Sequence, residues 1–185
     1  MKHRLIKPLM SALACLLLVS CASMSKPTQI AQTTAQLHAD VPHLHVPSAG
    51  LLTGGQPAAD AWRELRAAGV TRVINLRPAS ELGSRNEADE VEASGMDYVQ
   101  IDVAGADDLT ADKARLLWQS LQDQSGTVLV HCASGNRAGA LLALAAAQAG
   151  GMSPQAALEF GQSAGLTKLE PVVRERLGLP LQTNK

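Results

Sequence analysis

The chain has 185 residues, 46% of them hydrophobic and 18% charged, with a formal net charge of −1. That length suits about one domain, and the near-neutral balance excludes the basic surface that nucleic acid or a bulk anionic surface demands of a partner. Aromatic residues make up only 2%, so Leu, Val and Ala must pack the core, with Trp62 and Trp118 as its large pieces.

The N-terminus sets the expected compartment. Lys2, His3, Arg4 and Lys7 form a basic start, and an apolar run from Leu9 to Val19 follows. The run is short for a bilayer span and suits the core of a signal peptide. Leu18-Val19-Ser20-Cys21 resembles the bacterial lipobox, where cleavage leaves a lipid-modified cysteine as the first residue. Residues 1–20 are therefore expected to be a lipoprotein signal peptide and Cys21 the lipidated residue; an ordinary signal peptide cut nearby is the alternative. Such a protein is anchored to a membrane and does not span it. Ala22 follows the cysteine, where an Asp would suggest inner-membrane retention, so resemblance to lipoprotein sorting implies the outer membrane, facing the periplasm. Loss of Lys2, Arg4 and Lys7 leaves 13 Lys and Arg against 17 Asp and Glu, a formal charge of −4. Cys15 leaves with the signal and Cys21 takes lipid, so Cys132 stands alone and an intrachain disulfide is excluded. A lone thiol in an oxidising compartment is exposed to oxidation, and its retention there favours a chemical role.

Residues 21–40 carry the lipid and a tether rich in Ser, Thr, Gln and Ala, and the domain is expected over 41–185. His38, His43 and His45 invite a metal, but no acid or cysteine completes a set at familiar spacing, so they are read as tether and first-strand residues. No metal and no cofactor is expected. Beyond them the pattern alternates between strand and helix, which predicts a single α/β domain with a mostly parallel sheet of four to five strands flanked by helices. Strands are predicted at 50–53, 71–76, 98–103 and 127–131, and helices at 58–68, 85–93, 111–124, 138–149, 154–164 and 168–176. Thr110 and Ser153, the latter ahead of Pro154, suit helix N-caps, and Gly69, Gly95 and Gly165 suit helix C-termini. Val128-Leu129-Val130 does not alternate, as befits a central strand covered on both faces. The helix over 138–149 has almost no polar face and should be buried.

Between that strand and that helix lies Val130-His131-Cys132-Ala133-Ser134-Gly135-Asn136-Arg137. A cysteine is nucleophilic as thiolate, which a helix N-terminus and a nearby cation both favour. The backbone N–H groups of Ala133, Ser134, Gly135 and Asn136 can cradle an oxyanion, and Arg137 can add a planar two-pronged grip. Such a loop suits attack on a phosphoryl or sulfane-sulfur group. The competing reading is an inert cysteine packed at a strand end.

These residues resemble the cysteine-dependent phosphatase superfamily, whose signature is His-Cys, five residues, Arg, then Ser or Thr. Here four residues intervene and Ala138 follows Arg137. The bacterial family of beta-lactamase hydrolase-like protein phosphatase-like domains shares the shorter spacing. Gly54-Gly55-Gln56-Pro57 and Gly69-Val70-Thr71-Arg72-Val73-Ile74-Asn75-Leu76-Arg77-Pro78 are similar to it as well, in the same order. The resemblance implies a phosphatase-like fold, a phosphorylated small molecule or protein as substrate, Cys132 as nucleophile, and His131 as a residue that orients the loop. It also implies an acidic proton donor on a separate loop. Asp107 or Asp108, with Asp102 third, follow the third predicted strand and should reach the crevice at the strand ends; a solvated loop acid is the bland alternative. Arg77 could line the same crevice or pair with Glu81 at the surface, and Gln56 could simply shape a turn. The short loop is also the spacing of rhodaneses, so sulfur transfer through a Cys132 persulfide is the second reading. A non-catalytic anion-binding lipoprotein is the third.

Overall fold

A computed structural model describes residues 37–122 and 126–181. Five strands form one sheet: β1 (His45–Ser48), β2 (Leu51–Gly54), β3 (Val70–Asn75), β4 (Asp97–Gln100) and β5 (Thr127–His131). Their order is β1-β2-β5-β3-β4, with β1 antiparallel to β2 and every other pair parallel. The last strand in sequence is thus the middle one in space. His131 pairs with both Gly54 and Asn75, and Asn75 with Gln100, so four strands end on one line. The loops that leave them share one crevice, as in other open parallel sheets.

Both faces of β5 are covered, which explains its unbroken apolar run. Leu129 packs with Trp62, Leu65 and Val91 from α1 (Trp62–Ala67) and α2 (Glu87–Ala93). Val128 and Val130 face the larger core, built with α3 (Ala111–Gln122), α4 (Asn136–Gln148), α5 (Pro154–Ser163) and α6 (Glu170–Leu177). Helix α4 buries every residue from Ala138 to Ala146. It is held so closely that Cβ atoms have no room at its contact with α5. A Cβ at Gly139 would stand 2.2 Å from the Leu166 nitrogen and 2.6 Å from the Gly161 oxygen, both backbone atoms. Gly139→Ala is therefore expected to destabilise the protein by about 1–3 kcal/mol, read as a lower urea midpoint at unchanged slope. An unaltered midpoint would mean that the α5–α6 connection yields without cost.

The predicted caps are present. Thr110 Oγ1 accepts from Lys113 N at 3.3 Å, and Ser153 Oγ accepts from Ala156 N at 3.4 Å. Several boundaries differ from the sequence expectation. The antiparallel edge strand β1 includes His45, read as a first-strand residue, but carries Pro47 and little apolar pattern, so its bounds are not set by the sequence. Residues 37–40 form a helical turn with Leu37 and Val41 in the core, so the body extends into the segment expected to be tether. The signal peptide, Cys21 and the tether up to residue 36 lie outside the described residues. Helix α1 begins at Trp62 because residues 58–61 are taken up by a turn, with Ala58 N bonded to Asp40 O. Helix α2 begins at Glu87, where Asn86 caps it through Asp89 N. Regular pairing of β4 ends at Gln100, although Ile101 and Val103 still donate to Asn75 and Leu76. Helix α4 begins two residues early, which brings Arg137 into its first turn.

Candidate active site

Cys132 directly follows β5 and is only 1% exposed. Gly135 adopts φ +86°, a left-handed conformation that glycine takes without penalty, and its N–H donates to Cys132 Sγ at 3.2 Å. The loop is braced by the Gly54-Gly55-Gln56-Pro57 segment. Cys132 N donates to Gly54 O, Gly55 bridges to Ser134, and Gln56 N donates to Ala133 O. A Cβ at Gly55 would lie 2.9 Å from the Ala133 oxygen, so this close approach requires glycine. Ala133 and Ser134 are exposed at the loop's rim. The Asn136 side chain braces the loop from its other end. Its Oδ1 accepts from Thr167 N at 2.8 Å, from Thr167 Oγ1 and from Leu169 N, stapling the start of α4 to the α5–α6 connection.

Arg137 is fixed by a partner that sequence reasoning assigned elsewhere. Glu81 accepts from Nη1 and from Nη2, both at 2.7 Å, and Val103 O accepts from Nη1 at 2.6 Å. A guanidinium has five N–H groups. Three are engaged here, and Nε–H with the second Nη2–H face no oxygen among the described residues. Those two lie on one edge of the plane, the arrangement that grips an oxyanion with two parallel bonds. The hydrogen bond that Arg137 donates to Glu81 raises the Arg137 pKa further, burial opposes this, and attraction and a hydrogen bond to Cys132 add to the rise. Glu81 is held below the usual carboxylate range, chiefly by Arg137.

Arg77 does not stand free as a second cation. Its guanidinium donates to Gln56 Oε1, to the Glu81 backbone oxygen and, at 3.4 Å, to Glu81 Oε2. The surface pair expected with Glu81 therefore exists, but the same carboxylate reaches across to Arg137. His131 is fully buried, and its Nε2 meets Glu87 Oε1 at 2.7 Å. Gln56 Nε2 donates to the other oxygen, Glu87 Oε2, at 2.5 Å. Burial pushes the Glu87 carboxyl up, yet hydrogen bonds from His131 and Gln56 outweigh it and leave the group below its ordinary value. Nothing in the local sequence marks Glu87 apart from its place in the first turn of α2, where a negative end is favoured. Its partners are 31 and 44 residues away.

The loop after β4 joins the site through Val103 O and is pinned from behind by Arg176, which donates to Ala106 O and Leu109 O. Asp108 serves structure: its oxygens take Lys113 Nζ at 2.5 Å and Ala104 N at 2.9 Å. Lys113 first, and the Ala104 N–H second, hold it below the usual range, which makes it a poor proton donor. Asp102 accepts from Gln100 Nε2. Asp107 is exposed beside them with no side-chain partner among the described residues.

Comparison with known proteins places this geometry. Residues 51–150 match the family described as beta-lactamase hydrolase-like protein, phosphatase-like domain. A beta-lactamase hydrolase-like protein of Xylella fastidiosa is 35% identical over 98 residues, which make up 51% of this chain and 22% of the relative. The chain thus spans less than a quarter of that relative's length. A candidate phosphatase from Shewanella putrefaciens CN-32 superposes with a TM-score of 0.59 at 25% identity, covering 76% of this chain and 94% of the other. TpbA of P. aeruginosa, solved with phosphotyrosine, shares the fold at 19% identity and a TM-score of 0.52, over 74% of this chain and 90% of the other.

Proposed function

We propose that this chain, which belongs to the family of beta-lactamase hydrolase-like protein phosphatase-like domains, hydrolyses phosphate monoesters through a phosphocysteine on Cys132. One observation carries the reading: the Gly135 N–H points at Cys132 Sγ, and Arg137, whose Nε–H and second Nη2–H meet no oxygen among the described residues, is drawn to the same sulfur. In the first step the thiolate attacks phosphorus and the ester P–O bond breaks, with the departing oxygen taking a proton. The loop N–H groups and the Arg137 edge hold the equatorial oxygens as charge develops. In the second step water adds to phosphorus and the P–S bond breaks, returning the thiolate. The superfamily places a hydroxyl after the arginine to support that leaving sulfur. Ala138 has none, and the Gly135 N–H takes over the support.

Asp107 is our choice for the proton donor, because Asp108 is committed to Lys113. Asp107→Asn should cost about 10²-fold or more in turnover of alkyl phosphates and far less with aryl phosphates, whose leaving groups need no proton. Asp108→Asn should affect both alike, through loop order. Equal losses for Asp107→Asn on the two substrate classes would remove it from the role.

Sulfur transfer is the competing chemistry, favoured by the four-residue spacing between Cys132 and Arg137. The deciding assay gives reduced protein an aryl phosphate and, separately, thiosulfate with cyanide. Phosphate release without thiocyanate supports the phosphatase; thiocyanate alone overturns it.

We place the reaction in the bacterial envelope, on an outer-membrane lipoprotein facing the periplasm, on the strength of the Leu18-Val19-Ser20-Cys21 pattern. Palmitate label should enter the wild-type chain in a bacterial host and be lost in Cys21→Ser. Label retained by the variant would reject the anchor.

A further inference from the structure

The two residues that bracket the loop are joined behind it. His131 meets Glu87, Glu87 takes the Gln56 amide, Gln56 takes Arg77, Arg77 contacts Glu81, and Glu81 clamps Arg137. The direction of every bond is forced. A carboxylate is acceptor-only and a guanidinium donor-only, so Gln56 must present its NH2 to Glu87 and its oxygen to Arg77. No amide flip satisfies both neighbours. His131 in turn must place its Nε2 proton toward Glu87. Its Nδ1 is buried with no partner among the described residues, and an unpaired N–H there would cost more than a bare nitrogen.

We propose that Glu87 and Gln56 are positioning residues for the Cys132 site: Glu87 sets the ring of His131 and, through Gln56, Arg77 and Glu81, the edge that Arg137 presents to an anion. This rests on the anion-binding reading given above. Other charges facing the Glu87–His131 pair do not supply the same link. Arg85, which stacks 5.5 Å from the Trp62 ring centroid, spends its guanidinium on Glu90 and Pro57 O. Trp62 meets His131 only ring to ring, at 6.5 Å, and donates its N–H to Glu90.

A swap of the two residues tests the chain. Glu87→Gln brings an NH2 against either the His131 proton or the Gln56 amide. Gln56→Glu sets a second carboxylate against Glu87. The double variant Gln56→Glu/Glu87→Gln reverses donor and acceptor across the shared bond and again satisfies His131 and Arg77, with the charge unchanged; it gives up only the 3.3 Å bond from Gln56 Nε2 to Pro57 O, which still accepts from Arg85. The first readout is the rate of iodoacetamide alkylation at Cys132 in the full chain, followed on its own peptide by mass spectrometry. The second is the inorganic phosphate concentration that half-protects Cys132. Each single variant should change the half-protecting concentration by about tenfold and the swap should return it to within about threefold. Folded single variants protected like wild type overturn the proposal, as does a swap no better than the worse single. If neither single variant folds, a swap that folds and is protected supports it, and one that does not overturns it. Wild type unprotected by phosphate would reject the anion site itself. The alkylation rates then decide the linkage alone: changed in the singles and restored in the swap, or unchanged and refuted.

Discussion

Cys132→Ser is expected to abolish phosphatase turnover, by about 10⁴-fold or more, while leaving the fold and phosphate binding in place. The substitution is nearly isosteric, at a residue 1% exposed. The Gly135 N–H can bond a hydroxyl as well as a sulfur, so the loop should keep its shape. What disappears is the nucleophile. A thiol reaches its anion near neutral pH with help from a helix N-terminus and a cation, whereas a serine hydroxyl needs a general base. No such base is poised there. His131 spends Nε2 on Glu87, and its buried Nδ1 makes no hydrogen bond to Cys132. The check is phosphate release by equal amounts of folded, reduced wild type and variant. Retention of more than about one-hundredth of the activity would remove the phosphocysteine from the mechanism and point to direct attack by water.

Much of this arrangement is legible in the sequence where neighbours in the chain make it. The β5–loop–α4 unit reads directly, because an apolar run without alternation, a glycine at the turn and an alanine-rich helix each have one favoured place. The N-caps at Thr110 and Ser153 are equally local. What escapes is whatever depends on distant partners. Glu81 is visible as a neighbour of Arg77, four residues away, yet its second bond spans 56 residues to Arg137. Glu87 and Gln56 meet only because β5 inserts between β2 and β3, which brings the β2 end and the start of α2 over His131. Asn136 is visible as a loop residue by chain position, but its side-chain staple to three donors from 167–169, 31 or more residues away, is not. Asp108 was separated from Asp107 by a lysine five residues on, a spacing with no fixed geometry across a 3-10 turn and a helix start. The bounds of the edge strand β1 are not legible, although His45 reads as a first-strand residue, because an exposed edge needs no apolar pattern and Pro47 suits such an edge while weakening the strand signal.

Arg137→Lys should lower kcat/KM for phosphate monoesters by about 10²–10³-fold, although it preserves the charge. Glu81 and Val103 O are the reason. They take three of the guanidinium's five N–H groups and still leave an edge with two. A lysine ammonium has three N–H groups on one point. The same partners would claim two or all three of them and hold the ammonium toward Glu81, away from the cradle. One bond to the anion at best replaces two, and the planar match to two oxygens is lost. The effect should fall on kcat more than on KM, because charge on the equatorial oxygens grows in the transition state. Glu81→Gln in the wild-type background separates charge from geometry: it keeps an oxygen for one Arg137 N–H but sets an NH2 against the other, so Arg137 loosens without losing its fork. That variant should be impaired, but less than Arg137→Lys. Steady-state kinetics on one aryl phosphate test the pair. If Arg137→Lys retains wild-type kcat/KM, a single positive charge suffices, and the Nε–Nη2 edge of the guanidinium is not what binds the phosphoryl group.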